Sequence, residues 1–345
     1  MGRKYGRAMD RATAEAAVRF GFAHSTRTVD LSFFGGEPLL EKDLLLHTAD
    51  YALAWQRDQA PGKPLRLFVT TNGLGLDEAF LQEARRRGLI VSLSLDGHGR
   101  GHDLTRTLPE GGGSFAALEP KFPAILAVFP WIEVLVTVTP RNLPFLGEGV
   151  EKLYACGFRN FIVGPNYEEA WEEPALQRLE EEYRRLASFY EARFRDGHYI
   201  YLSLFDTKIA AHTRTRGEIC SCCDKNDGEI AVAPSGNIYP CLRFVKEDAD
   251  HALVLGTLAT GLDRKKRAKL MLEAGREWPE CLECAFRGRC FHYCTAVNFK
   301  VTGRFNQPPA VLCRQEQAAI RCADEVAARL HAAGNPLFHE RFYRK

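Results

Sequence analysis

Short apolar runs alternate with amphipathic stretches through the first 165 residues. Runs at 29–34, 65–70, 89–95, 133–139 and 160–164 predict strands, with helical periodicity at 10–24, 40–58, 76–88 and 143–157 between them. Runs such as L-F-V-T and L-I-V-S-L-S-L carry branched apolar residues with little strict alternation, which suits strands covered on both faces of a parallel sheet. Strand–helix repeats of this kind predict an α/β fold with right-handed crossovers, a barrel or a doubly wound sheet. Polar and glycine clusters follow the strands: Gly35-Gly36-Glu37-Pro38, Thr71-Asn72-Gly73, Asp96-Gly97-His98 and Pro140-Arg141-Asn142. Sites in parallel α/β folds are built from such strand ends, although Asn-Gly is also ordinary turn chemistry.

The periodicity changes beyond Glu169. A charged helix is expected to about Arg195, with Pro174 near its first turn. Residues 198–219 read as a linker. The stretch 220–313 has little helical periodicity except near 263–275. A closing helix at 314–333 should stop before Gly334-Asn335-Pro336, leaving 334–345 as a tail.

Composition narrows the class. The 345 residues are 46% hydrophobic and 26% charged, enough to bury one large core or two smaller ones. Forty-six basic against forty-four acidic residues leave +2, so no global field favours nucleic acid; the one dense basic run, R-K-K-R at 264–267, reads as a solvated helix face. No apolar stretch approaches the length of a membrane span, and the charged N-terminus is not followed by a signal core. A cytoplasmic, reducing compartment is expected, in which thiols stay available to bind metal.

Nine of the eleven cysteines lie between residues 220 and 313. Residues 281–294 read C-L-E-C-A-F-R-G-R-C-F-H-Y-C, and eighteen residues separate Cys294 from Cys313. Upstream, Cys223, Gly236 and Cys241 make C-x12-G-x4-C. Thiols this dense in a reduced chain read as ligands of structural zinc or of iron–sulfur clusters, each needing four per site. Cys156 and Cys322 stand apart, and Cys156 reads as a buried small hydrophobe.

V-D-L-S-F-F-G-G-E-P-L-L-E resembles the second strand and loop of the radical S-adenosylmethionine (SAM) enzymes. V-S-L-S-L-D-G-H-G-R-G-H-D-L-T-R resembles their fourth-strand loop, and the cysteine pattern resembles the SPASM extension of one large branch. The resemblance implies a partial (β/α)6 barrel lacking its first strand at 1–197, the linker at 198–219, and a SPASM domain with closing helix at 220–333. It also implies SAM at Gly35, Gly36, Glu37, Pro38, Thr71, Asn72, Ser94 and Asp96, with Glu37 near the methionine amine and Ser94 near the ribose. His102, Asp103 and Arg106 would brace the loop, as would Asp96. One auxiliary 4Fe–4S cluster would sit on Cys281, Cys284, Cys290 and Cys313. A second would use Cys241 and Cys294 with thiolates from Cys220, Cys222 and Cys223, of which Cys223 ranks first.

The family makes its radical at a further cluster held by C-x3-C-x2-C, and this sequence has no cysteine before Cys156. Two expectations follow: Met1 is an internal methionine of a longer reading frame, or the chain binds clusters, zinc or a peptide without radical chemistry. The implied partners are a precursor peptide or protein and an electron donor such as ferredoxin or flavodoxin. Sulfatase-maturing members usually carry an aspartate after Y-P-C; here that position is Leu242, and Y-P-C-L-R-F is more like enzymes that crosslink ribosomally made peptides. Asp227 and Glu229 are candidate bases by proximity alone.

Overall fold

Six strands form one parallel sheet in chain order: β1 (Val29–Phe33), β2 (Leu65–Thr71), β3 (Leu89–Ser94), β4 (Glu133–Val138), β5 (Asn160–Pro165) and β6 (Tyr201–Leu202). The computed structural model describes residues 8–213, 229–245, 248, 252–290 and 294–343. Cys220, Cys222, Cys223 and Asp227 lie outside the described residues, as does 214–219 of the expected linker. The register aligns Val29 with Leu65, Leu67 with Leu89, and Glu133 with Asn160. The α/β expectation is met with a sheet that runs from edge β1 to edge β6, and no closed barrel forms among the described residues.

The expectation of strands covered on both faces holds for β3, where only Ile90 is exposed. In β2 and β4 burial alternates: Leu67, Val69 and Thr71 are buried while their neighbours are half-covered or exposed. The helices start where local chemistry directs them. Asp10 accepts the Thr13 N–H at 2.7 Å ahead of helix Arg11–His24, and Asp77 accepts the Phe80 N–H at 2.8 Å ahead of Glu78–Arg86. Helix Glu173–Arg195 has Pro174 in its first turn and buries Leu179, Tyr183, Leu186, Tyr190 and Phe194, a helical spacing. The helix packs against helix Ala310–Ala332.

Residues 201–213, read as linker, instead supply β6 and helix Ser203–Thr213. A two-residue strand carries too little period to be seen in sequence. The closing helix begins four residues early, at Ala310, and Gly334 ends it with φ of +61°. The expected tail is itself a helix, Pro336–Tyr343, because the Asn335 side chain accepts the Phe338 N–H at 2.9 Å and donates to the Phe194 carbonyl at 2.8 Å.

By internal contacts the chain divides into two units, Met1–Leu93 with Cys223–Gly275, and Ser94–Cys222 with Arg276–Lys345. The first contains a small antiparallel sheet of β7 (Ala231–Val232), β8 (Asn237–Tyr239), β9 (Gly256–Thr257) and β10 (Gly261–Leu262). Asp248 fixes its turn by accepting from Tyr239 Oη at 2.8 Å and Asn237 Nδ2 at 3.1 Å. Gly256 has φ of +137°, and a Cβ there would stand 2.0 Å from the Gly261 carbonyl oxygen. Gly256→Ala should therefore destabilise this unit by about 2 kcal/mol or more, read as a lower denaturant midpoint. An unchanged midpoint would contradict the crowding.

Candidate functional site

Glu37 organises the loop after β1. Its Oε1 accepts the Thr71 hydroxyl at 2.7 Å and the Leu39 N–H at 3.0 Å, and its Oε2 accepts the Asn72 N–H at 2.7 Å. Thr71 is buried and also receives the Gly73 N–H at 3.0 Å, while Asn72 Oδ1 receives the Leu74 N–H at 2.9 Å. The loops after β1 and β2 are thus joined through one carboxylate, with Pro38 opening a 3-10 turn over Pro38–Glu41. Three donors leave one of about four carboxylate acceptor positions, on Oε2, for a further donor. Gly35 and Gly36 do not adopt positive φ, and a Cβ at Gly35 would meet open space.

The loop after β3 is a closed network. Asp96, 4% exposed, accepts the Thr137 N–H at 2.8 Å, the Thr105 hydroxyl at 2.8 Å and Arg106 Nη2 at 3.0 Å, and forms an ion pair with the same guanidinium. His102, fully buried, accepts the Asp96 N–H on Nδ1 at 3.3 Å and meets Ser114 Oγ through Nε2 at 2.9 Å. Asp103 accepts the Phe115 N–H at 2.9 Å. Asp96, His102, Asp103 and Arg106 therefore brace the loop. Burial holds the His102 imidazole down to about 4, opposed by Asp96 and assisted by Arg106. Ser94 is buried at the end of β3. A cavity of about 160 Å³ lies between this loop and helix Leu146–Ala155, where Lys152 is paired with Glu148 and His98 faces Glu119.

Cys281, Cys284, Cys290 and Cys313 line one small cavity of about 30 Å³, together with Phe286, Arg287, Pro308, Glu316 and Gln317. The first three come from a turn-rich stretch that includes helix Pro279–Leu282, and Cys313 from the first turn of helix Ala310–Ala332. All four are half-buried, and none of the eight cysteines among the described residues is in a disulfide. Burial pushes the Cys281 and Cys313 thiols up; Cys284 adds to the effect at Cys281, and Cys281 and Cys284 at Cys313. These thiols ionise when a metal offsets their mutual repulsion. No three His, Cys, Asp or Glu side chains among the described residues converge on a single ion. Four soft thiols around one cavity are the donor set that a cubic iron–sulfur cluster takes.

Cys241 precedes the 3-10 turn Leu242–Phe244, and Cys294 precedes helix Thr295–Thr302. They belong to different units. Glu229 is exposed. Cys156, expected to be buried, is exposed at the end of helix Leu146–Ala155; the helical period there points Leu153 and Tyr154 inward instead. Cys322 is the buried one. Sequence reasoning missed Lys208, Glu316 and Gln317. Glu316 and Gln317 follow Cys313 at i+3 and i+4 on one helix, a spacing that places them on its face. Lys208 has no such signal.

No protein-family model matches the chain. An uncharacterised protein of Methanocaldococcus jannaschii is 25% identical over 152 residues, 44% of this chain, and the chain spans about half, 51%, of that relative's length. Among solved structures, the sulfatase-maturating enzyme anSMEcpe with bound AdoMet superposes with a TM-score of 0.77 at 19% identity, covering 96% of this chain and 92% of that one. SuiB of Streptococcus suis bound to its precursor peptide SuiA gives a TM-score of 0.58 at 14% identity, covering 89% and 70%. The chain has the radical SAM/SPASM fold. Among the described residues no helix is long and apolar enough to cross a membrane.

Proposed function

We propose that this chain is a radical SAM protein that binds SAM and auxiliary clusters and acts on a ribosomally made peptide or a protein side chain. The observation that carries the reading is the convergence of Cys281, Cys284, Cys290 and Cys313 on one cavity in a chain with this fold. Both anSMEcpe and SuiB have been solved with peptides, Cp18Cys and SuiA, which supports a peptide partner here. Leu242 after Cys241 argues for a crosslinking or oxidising peptide maturase over sulfatase maturation. When bound, the clusters would supply low-potential electron transfer or a ligation point for substrate.

The chain's own residues have definable tasks. Glu37 keeps an acceptor position that suits the ammonium of SAM, and Thr71 with Asn72 holds its carboxylate in place. A Cβ at Gly35 would meet open space, and Ser94 would contact the ribose, as the resemblance implies. Asp96 is fully engaged by Thr105, Arg106 and Thr137, so its part is to hold the loop's shape. Cys241 and Cys294, with thiolates from Cys220, Cys222 and Cys223, would hold the second cluster. The electron donor would be a ferredoxin or flavodoxin.

Equilibrium dialysis of SAM tests this assignment. Glu37→Gln should weaken binding by tenfold or more, because a neutral amide with a single acceptor oxygen cannot serve Leu39, Thr71, Asn72 and an ammonium together. Binding equal to the parent chain would remove Glu37 from the site. A second reading, a non-catalytic cluster or zinc protein that binds a peptide, is favoured by the same four thiols around a cavity of about 30 Å³, since zinc also takes four thiolates. Visible absorption and metal analysis of anaerobically reconstituted protein separate the two metals, since stoichiometric zinc in colourless protein would overturn the cluster. Failure to form 5′-deoxyadenosine from SAM, in a form carrying C-x3-C-x2-C, would overturn radical chemistry.

A further inference from the structure

Two charged side chains outside the cysteine pattern meet beside the thiol-lined cavity. Lys208 Nζ, on helix Ser203–Thr213, lies 2.6 Å from Glu316 Oε2, on helix Ala310–Ala332, and their side chains are only 3% and 8% exposed. Glu316 lines the cavity and follows Cys313 by three residues. Arg289, next to Cys290, donates its Nη2 to the Lys208 carbonyl at 3.1 Å, which ties that helix to the cysteine loop. Lys208 interacts electrostatically with Cys290, and Glu316 with Cys313.

Packing alone does not account for this pair. Burying two charges costs about as much as their attraction returns, and apolar replacements are often neutral or better. A carboxylate is moreover a poor neighbour for thiols that must ionise, because like charges oppose one another at short range. The lysine offsets that repulsion, and together the pair places one charge of each sign beside the four sulfurs.

We propose that Lys208 and Glu316 are positioning residues that set the reduction potential of a cluster held by Cys281, Cys284, Cys290 and Cys313. The inference rests on the cluster reading above. Reduction by an external low-potential one-electron donor adds one negative charge to the cage and changes no bond in the protein. A buried cation stabilises the reduced cage more than the oxidised one, and a buried carboxylate does the reverse. The two side chains therefore pull in opposite directions.

Potentiometric titration at one fixed pH, followed by electron paramagnetic resonance and visible absorption, reads the effect. A Cys241→Ser background confines the titration to one cluster. Glu316→Gln should make the cluster easier to reduce and Lys208→Met harder. Each should change the reduced-to-oxidised ratio at fixed potential by about tenfold or more, 59 mV for a one-electron couple. The double variant should fall between them. Iron-loaded variants that titrate with the parent chain, or that both move in one direction, would overturn the inference while leaving the cluster reading intact. Iron-free parent protein would sink the cluster reading itself. If Lys208→Met does not fold, Glu316→Gln decides alone, since its amide oxygen still faces Lys208; no positive shift would overturn the proposal.

Discussion

Replacing Cys313 with serine should strip roughly half of the iron from anaerobically reconstituted protein, one four-iron cluster of two. The same loss is expected at Cys281, Cys284 and Cys290, because all four thiols line one cavity and a cubic cluster uses one thiolate per iron. Serine is close in size, so the cavity keeps its shape while the soft ligand is lost. Cys156→Ser and Cys322→Ser are the controls, since Cys156 is exposed away from the cavity and Cys322 is buried in the middle of helix Ala310–Ala332. Iron and sulfide analysis with visible absorption gives the result. Equal iron in Cys313→Ser and in the parent chain would show that the four thiols do not form one ligand set. Loading should also improve in mildly alkaline buffer, because burial pushes the Cys281 and Cys313 thiols up and ligation needs them ionised.

Acidification should cost the fold up to about 3 kcal/mol through His102 alone. Its imidazole is held down to about 4 against an ordinary value of 6.5, and the difference converts at about 1.4 kcal/mol per tenfold in proton affinity. The sign follows from the depressed folded value. Neutral His102 contributes its full stability above pH 6.5, and the contribution is lost as pH falls from there towards about 4. The structural cause is burial of the ring, and protonation would in addition set Nδ1 as a donor against the Asp96 N–H that it now accepts. Denaturant melts across that interval should show the slope in the parent chain. In His102→Asn, whose amide oxygen can still accept that N–H, the slope should flatten while stability at neutral pH falls modestly. Identical slopes in the two proteins would assign the acid sensitivity to other groups.

The pattern of apolar runs located β1 to β5 to within a residue at either end, because runs of five to seven residues carry enough period to be read. It could not find β6, which has two residues and is a strand only because Tyr201 and Leu202 pair with Asn160 and Phe161. The Gly35–Pro38 loop was legible as a candidate site from its composition. Its dependence on Thr71 and Asn72 was not, because those hydrogen bonds join residues about thirty-five positions apart. The exposure of Cys156 was misread for a related reason: an isolated cysteine in a helical stretch does not declare which way it faces until the helix has been docked.

By itself the sequence determined the thiol inventory, the α/β order of elements and the likeness to a radical SAM chain with its cysteine-rich extension, since these are properties of spacing along one dimension. Tertiary structure alone decided that Cys281, Cys284, Cys290 and Cys313 share a cavity, that Asp96 is spent on bracing its own loop, and that Lys208 reaches Glu316 across 108 residues. The physical reason is that charge pairing and ligand convergence depend on distances between packed helices, and no local propensity encodes those distances.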